Sequence, residues 1–116
     1  MAYDTNLEAR ITRILQLKQL DFIPKKMMGG LCYMLNDKMC VGIIKDQLMA
    51  RINPDIYHQA LEHPHCSEMN FTGRPMKGYV YIDPEGLVDD SNLEYWIQLC
   101  IDFNPIAKAS KRKKKP

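Results

Sequence analysis

At 116 residues the chain has room for one domain with a single core, and its 46% hydrophobic and 26% charged content is that of a globular protein. No apolar run approaches the roughly 20 residues a helical bilayer crossing takes, which argues against a membrane partner. The formal charge of +2 hides an asymmetry: six of the 16 cations lie in residues 108–116 with no acid among them, leaving a mildly acidic body and a strongly basic tail.

Met1 to Asn6 lack a basic stretch followed by an apolar one, so no secretory signal is expected and the sequence reads as cytoplasmic. Cys32, Cys40, Cys66 and Cys100 form no Cys-x-x-Cys pair and are expected to be reduced thiols. The division expected is a folded domain over 1–106 and a disordered basic tail over 107–116.

In chain order, residues 5–20 predict a helix. Thr5-x-x-Glu8 has the form of a capping box, and Leu7, Ile11, Ile14 and Leu15 fall on one face. Phe22, Ile23 and Pro24 read as its end, because the residue before a proline avoids helical backbone. Three short apolar runs follow, Leu31 to Leu35, Met39 to Ile44 and Leu48 to Ile52. Asn36-Asp37-Lys38 and Lys45-Asp46-Gln47 separate them, which predicts an antiparallel meander. Alternation in the third run sets Leu48, Ala50 and Ile52 on one face and Met49 and Arg51 on the other.

Asn53-Pro54-Asp55 signals a second helix, with Asn53 as cap and proline at the first helical position; His63-Pro64 stops it. Glu68 to Phe71 reads as a fourth strand and Tyr79 to Ile82 as a fifth, followed by an Asp83-Pro84-Glu85-Gly86 turn. A last helix begins at Ser91-x-x-Glu94 and carries Leu93, Trp96, Ile97, Cys100 and Ile101 on one face. The order α-β-β-β-α-β-β-α predicts an α+β fold, a two-layer sandwich of helices on a five-stranded antiparallel sheet.

Between the last two strands, Phe71-Thr72-Gly73-Arg74-Pro75-Met76-Lys77-Gly78 packs two glycines, a proline and two cations into a short bend. With Lys26-Met27-Met28-Gly29-Gly30-Leu31, Met39-Cys40-Val41-Gly42-Ile43, Leu48 to Pro54, Asp83-Pro84-Glu85-Gly86-Leu87 and the Trp96 helix, it resembles the N-terminal domain of the TfoX/Sxy competence regulators. The resemblance runs over about residues 10–104 and implies a secretion-chaperone-like fold. It also implies a bacterial, non-enzymatic co-regulator of DNA-uptake genes acting with the cyclic-AMP receptor protein. Longer members of that family continue into a second, helical domain, where this sequence carries its basic tail.

The chemistry-bearing residues are few. His58, His63, His65 and Cys66 lack the second ligand pair of a zinc finger, so no metal and no cofactor is expected. Cys66 beside His65 is the one sequence-local candidate for a nucleophile, and no catalytic residue is assigned. Arg51 stands in a strand, where a charge needs a partner. Arg51, Arg74 and Lys77 are the candidate binding residues, read either as solvated or salt-bridged cations or as one recognition patch. Tyr79 and Tyr81 share a sheet face that suits a homodimer or a protein partner such as the transcription machinery. The alternative function is non-specific nucleic-acid binding through Lys111, Arg112, Lys113, Lys114 and Lys115.

Overall fold

Helix α1 (Thr5–Leu17) buries Leu7, Ile11 and Leu15, the stripe that a 3.6-residue period selects. Its cap is Asp4 and not the expected Thr5. The Asp4 carboxylate accepts from the N–H groups of Asn6 (2.8 Å) and Leu7 (3.2 Å), and a side-chain oxygen from aspartate caps at least as well as one from threonine. The helix also stops three residues earlier than the apolar pattern suggests. Gln19 takes a left-handed backbone (φ 60°), and the N–H groups of Gln19 and Leu20 return to the carbonyls of Gln16 and Leu15. This is a Schellman closure built without the usual glycine, so the sequence carries no signal for it.

The computed structural model describes residues 3–27, 29–69 and 77–107. After α1 come β1 (Ile23–Met27), β2 (Gly30–Leu35), β3 (Lys38–Ile44) and β4 (Gln47–Arg51). A 3-10 turn (Pro54–Ile56) leads into the short helix α2 (Tyr57–Leu61), then β5 (Cys66–Glu68) and β6 (Tyr79–Ile82). A second 3-10 turn (Pro84–Leu87) precedes α3 (Asp90–Phe103). The fold is α+β as expected, but the sheet has six strands and not five, in the order β1-β2-β3-β4-β6-β5, every neighbour antiparallel.

The additional strand is β1. Its Pro24 reads in sequence as a helix stop, yet Pro24 pairs with Tyr33 at the sheet edge, where a missing N–H is tolerated. Other boundaries move for similar local reasons. The expected fourth strand at Glu68–Phe71 lies earlier, at Cys66–Glu68, and residues 70 and 71 are outside the described set. Asn53 caps as expected, accepting from the Asp55 N–H at 2.9 Å, but the first turn is 3-10. The 83–86 turn is likewise a 3-10 turn. Asp89, not Ser91, is the N-cap residue of α3.

Leu35 and Lys38 close a two-residue hairpin on Asn36 and Asp37, both left-handed (φ 54° and 64°), a pair that matches the twist of the strands. Further along the same ladder Tyr33 faces Val41 while Met34 faces Met39, so Cys40 is an inserted residue. The bulge lets Cys40 and its neighbour Val41 both enter the helix-side core, which strict alternation forbids.

That core joins the α1 stripe, Leu93, Trp96, Ile97 and Cys100 of α3, and the inward residues of the central strands. The opposite face is also buried: Cys32, Met39, Met49 and Met69 form a second cluster, bordered by the half-buried Met34, Ile44, Tyr79 and Tyr81. Arg10 ties α1 to the start of α3, reaching Asp90 at 2.9 Å and the Leu87 carbonyl at 2.7 Å, and Lys18 meets Glu94 at 3.0 Å.

Two glycines mark where backbones touch. A Cβ on Gly30 would land on the Ile43 carbonyl, and one on Gly42 would stand 2.8 Å from both the Leu31 carbonyl and the Met49 methyl. Gly42→Ala should lower stability by about 1–3 kcal/mol in urea unfolding, the usual cost of forcing extra atoms into packed strands. Gly30→Ala should cost more, because its Cβ would fall much closer to the Ile43 carbonyl than any contact at Gly42, and that obstacle is backbone.

Candidate functional site

Arg51 closes β4 and lies opposite Tyr79 in the ladder, as Met49 lies opposite Tyr81, so the expected shared face of Met49 and Arg51 is present. Met49 is fully buried in the second cluster and Arg51 stands half-buried at its rim. The guanidinium lies 5.4 Å from the centroid of the Tyr79 ring and 6.0 Å from that of Phe103, both within cation–π reach. It also directs a long hydrogen bond to the Met39 carbonyl, at 3.4 Å.

A pocket of about 70 Å³ opens beside this arginine, lined by Arg51, Ile52, Pro54, Lys77, Gly78, Tyr79 and Phe103. Gly78 (φ 92°) permits the tight entry into β6: its carbonyl accepts from the Ile52 N–H at 2.7 Å, and a Cβ there would press on the Ile52 carbonyl at 3.2 Å. Of the residues singled out in sequence, Arg51 and Lys77 therefore line one pocket. Arg74 and the tail residues Lys111, Arg112, Lys113, Lys114 and Lys115 lie outside the described residues. Phe103 escaped the sequence reading. It lies on the last turn of a helix that reads simply as amphipathic, and only the tertiary fold brings it to Arg51.

The histidine group of the sequence does not gather as one set. The His63 ring packs on Tyr95 and Trp96, at 5.7 and 5.2 Å between centroids, and His58 lies against Tyr57. His65 instead joins Asp83 and Glu85, with one potential ligand atom from each within 4.8 Å of the others. His65 lies 18 and 20 positions before Asp83 and Glu85, and it is the pairing of β5 with β6 that brings it to them. Cys66 is no neutral-pH nucleophile: burial first, then the Asp83 charge, pushes its thiol up to about 11.

Cys40 is held up further, to about 12, by burial that outweighs the nearby Arg51 charge. An unfolded thiol ionises near its ordinary value of 9.0, so above that pH the unfolded chain releases protons that the native chain keeps. The stabilisation is whole below pH 9.0 and should drain as the pH rises towards about 12. Urea midpoints measured across that range should fall, and Cys40→Ala should fall less steeply than the wild type. Arg51→Ala should lower the unfolding free energy by about 1 kcal/mol at neutral pH through lost ring contacts and stem packing. Arg51→Lys should restore only part of this, since an ammonium lacks the planar face.

Comparison with curated proteins and with solved structures finds no match. A family model described as the TfoX N-terminal domain matches residues 16–104, from the last turn of α1 through the C-cap of α3. That span holds the whole sheet, the Arg51 pocket and the helix that covers them, and the chain belongs to the TfoX N-terminal domain family.

Proposed function

We propose that the domain is a non-enzymatic regulatory module that acts through protein contacts, in the manner of the competence regulators it resembles. The observation that carries this is the Arg51 pocket. An arginine bracketed by Tyr79 and Phe103 is a grouping of the residue types that dominate protein interfaces, and Lys77 stands at the same opening. Its small volume and the two cations that line it suit a carboxylate. An acidic side chain on a protein partner is the chemistry this pocket receives. The end of β4 holds Arg51, which lowers the cost of ordering it on contact, and Lys77 stands in the turn that leads into β6.

The reading makes the cell the place to test it. Raising the level of the wild-type chain should change transcript levels of DNA-uptake genes, and the double variant Arg51→Ala, Lys77→Ala should abolish the change while remaining folded by circular dichroism. Unaltered transcripts with the wild-type chain would sink the regulatory reading.

The tail favours a second reading, direct nucleic-acid binding, because Lys111 to Lys115 are five consecutive cations. Fluorescence anisotropy on duplex DNA across salt separates the two. If residues 1–107 bind nothing while the whole chain binds with a log–log salt slope no steeper than about −5, the tail is a non-specific anchor. If the truncated chain still binds and Arg51→Ala weakens it, the pocket itself meets DNA and the protein-contact reading fails.

A further inference from the structure

At the opposite end of β6 from the Arg51 pocket stands the group formed by His65, Asp83 and Glu85. Its parts are fixed by backbone. The Asp83 N–H donates to the His65 carbonyl at 2.8 Å, which sets residues 65 and 83 side by side where β5 joins β6. His65 itself is left-handed (φ 72°). The 3-10 turn then brings Glu85 back towards them, closed by the Gly86 N–H on the Asp83 carbonyl at 2.9 Å. A Cβ on Gly86 would stand 3.0 Å from the His65 Cβ, so this glycine is what lets the histidine lie against the turn.

The Asp83 carboxylate has a defined setting as well. Gln47 Nε2 donates to Asp83 Oδ1 at 2.8 Å, orienting the group from the neighbouring β4. Ligating carboxylates are ordinarily held by such outer hydrogen bonds. The donor set is mixed, one imidazole nitrogen with two carboxylate oxygens. Hard cations such as magnesium and calcium take oxygen ligands, whereas imidazole suits zinc, nickel, copper and iron. Two carboxylates at this spacing repel each other, and a bound divalent cation would remove that repulsion.

We propose that His65, Asp83 and Glu85 bind a divalent first-row transition-metal cation. Three protein ligands leave coordination positions open to water or to an outside ligand. His65 and Glu85 are exposed and Asp83 half-buried, so those positions face solvent. The site is independent of the proposed regulatory function.

The test is calorimetric titration of the whole chain with zinc chloride, in a non-chelating buffer near neutral pH with a phosphine reductant. The expected result is saturable binding of one zinc ion per chain, unaffected by excess magnesium. His65→Ala and Glu85→Gln should each weaken it by about tenfold or more, while His58→Ala and Cys66→Ser leave it unchanged. Glu85→Gln alters an exposed side chain conservatively, so it separates ligation from folding. As a readout free of any variant, the His65 ring signals of the wild-type chain should shift on zinc addition in a proton–nitrogen spectrum while those of His58 stay in place. Absence of binding up to millimolar zinc, displacement by magnesium, or an affinity that follows Cys66 or His58 in place of His65 would overturn the proposal.

Discussion

The junction at Asn104 holds the helical layer in register with the sheet. This residue caps α3 and is only 2% exposed, and its side chain donates to the Leu35 carbonyl at 3.1 Å. Its side-chain oxygen accepts from Asn36 at 2.8 Å, and its backbone carbonyl from the Lys38 ammonium at 3.1 Å. All of these partners belong to the β2–β3 hairpin. The helix end, which would otherwise leave polar groups stranded in the interior, is thereby satisfied by the β2–β3 hairpin. Phe103 precedes Asn104, so the same junction sets the ring that meets Arg51. The pocket's geometry descends from a hairpin whose residues do not line it.

The sheet differs from a simple two-layer sandwich in having both faces of its central strands buried. Leu48 and Ala50 point to the helices while Met49 points to the second cluster, all three fully covered. Methionine suits that second face because an unbranched thioether fills irregular space without a fixed shape. The Cys40 bulge works on the first face, adding a side chain where the regular pleat would have turned one away. Together they explain why an arginine sits at the end of β4 and not within it: only at residue 51 does the strand reach a rim where a cation can lie across rings.

What the sequence discloses tracks the range of the interaction that decides each feature. α1 and α3 follow from helical periodicity, and β2, β3, β4 and β6 from short apolar runs bounded by polar or glycine-bearing turns. β1 is hidden: Pro24, Lys25 and Lys26 carry no alternation, and only pairing to β2 makes them a strand. The end of α1 is hidden too, since Gln19 supplies a conformation that glycine would have advertised. The Arg51–Lys77 association is half legible. Both cations attract notice, but the Phe103 ring between strand and helix does not. The approach of His65 to Asp83 and Glu85 depends wholly on the β5–β6 register and leaves no trace in local pattern.

The edge formed by β1 bears on how copies of this domain meet. An open strand is a template on which another chain's backbone can continue the sheet. Here that template carries a proline, which offers no N–H, followed by Lys25 and Lys26, exposed charges that repel an identical strand laid alongside. The sheet is therefore guarded against edge-on polymerisation along this margin.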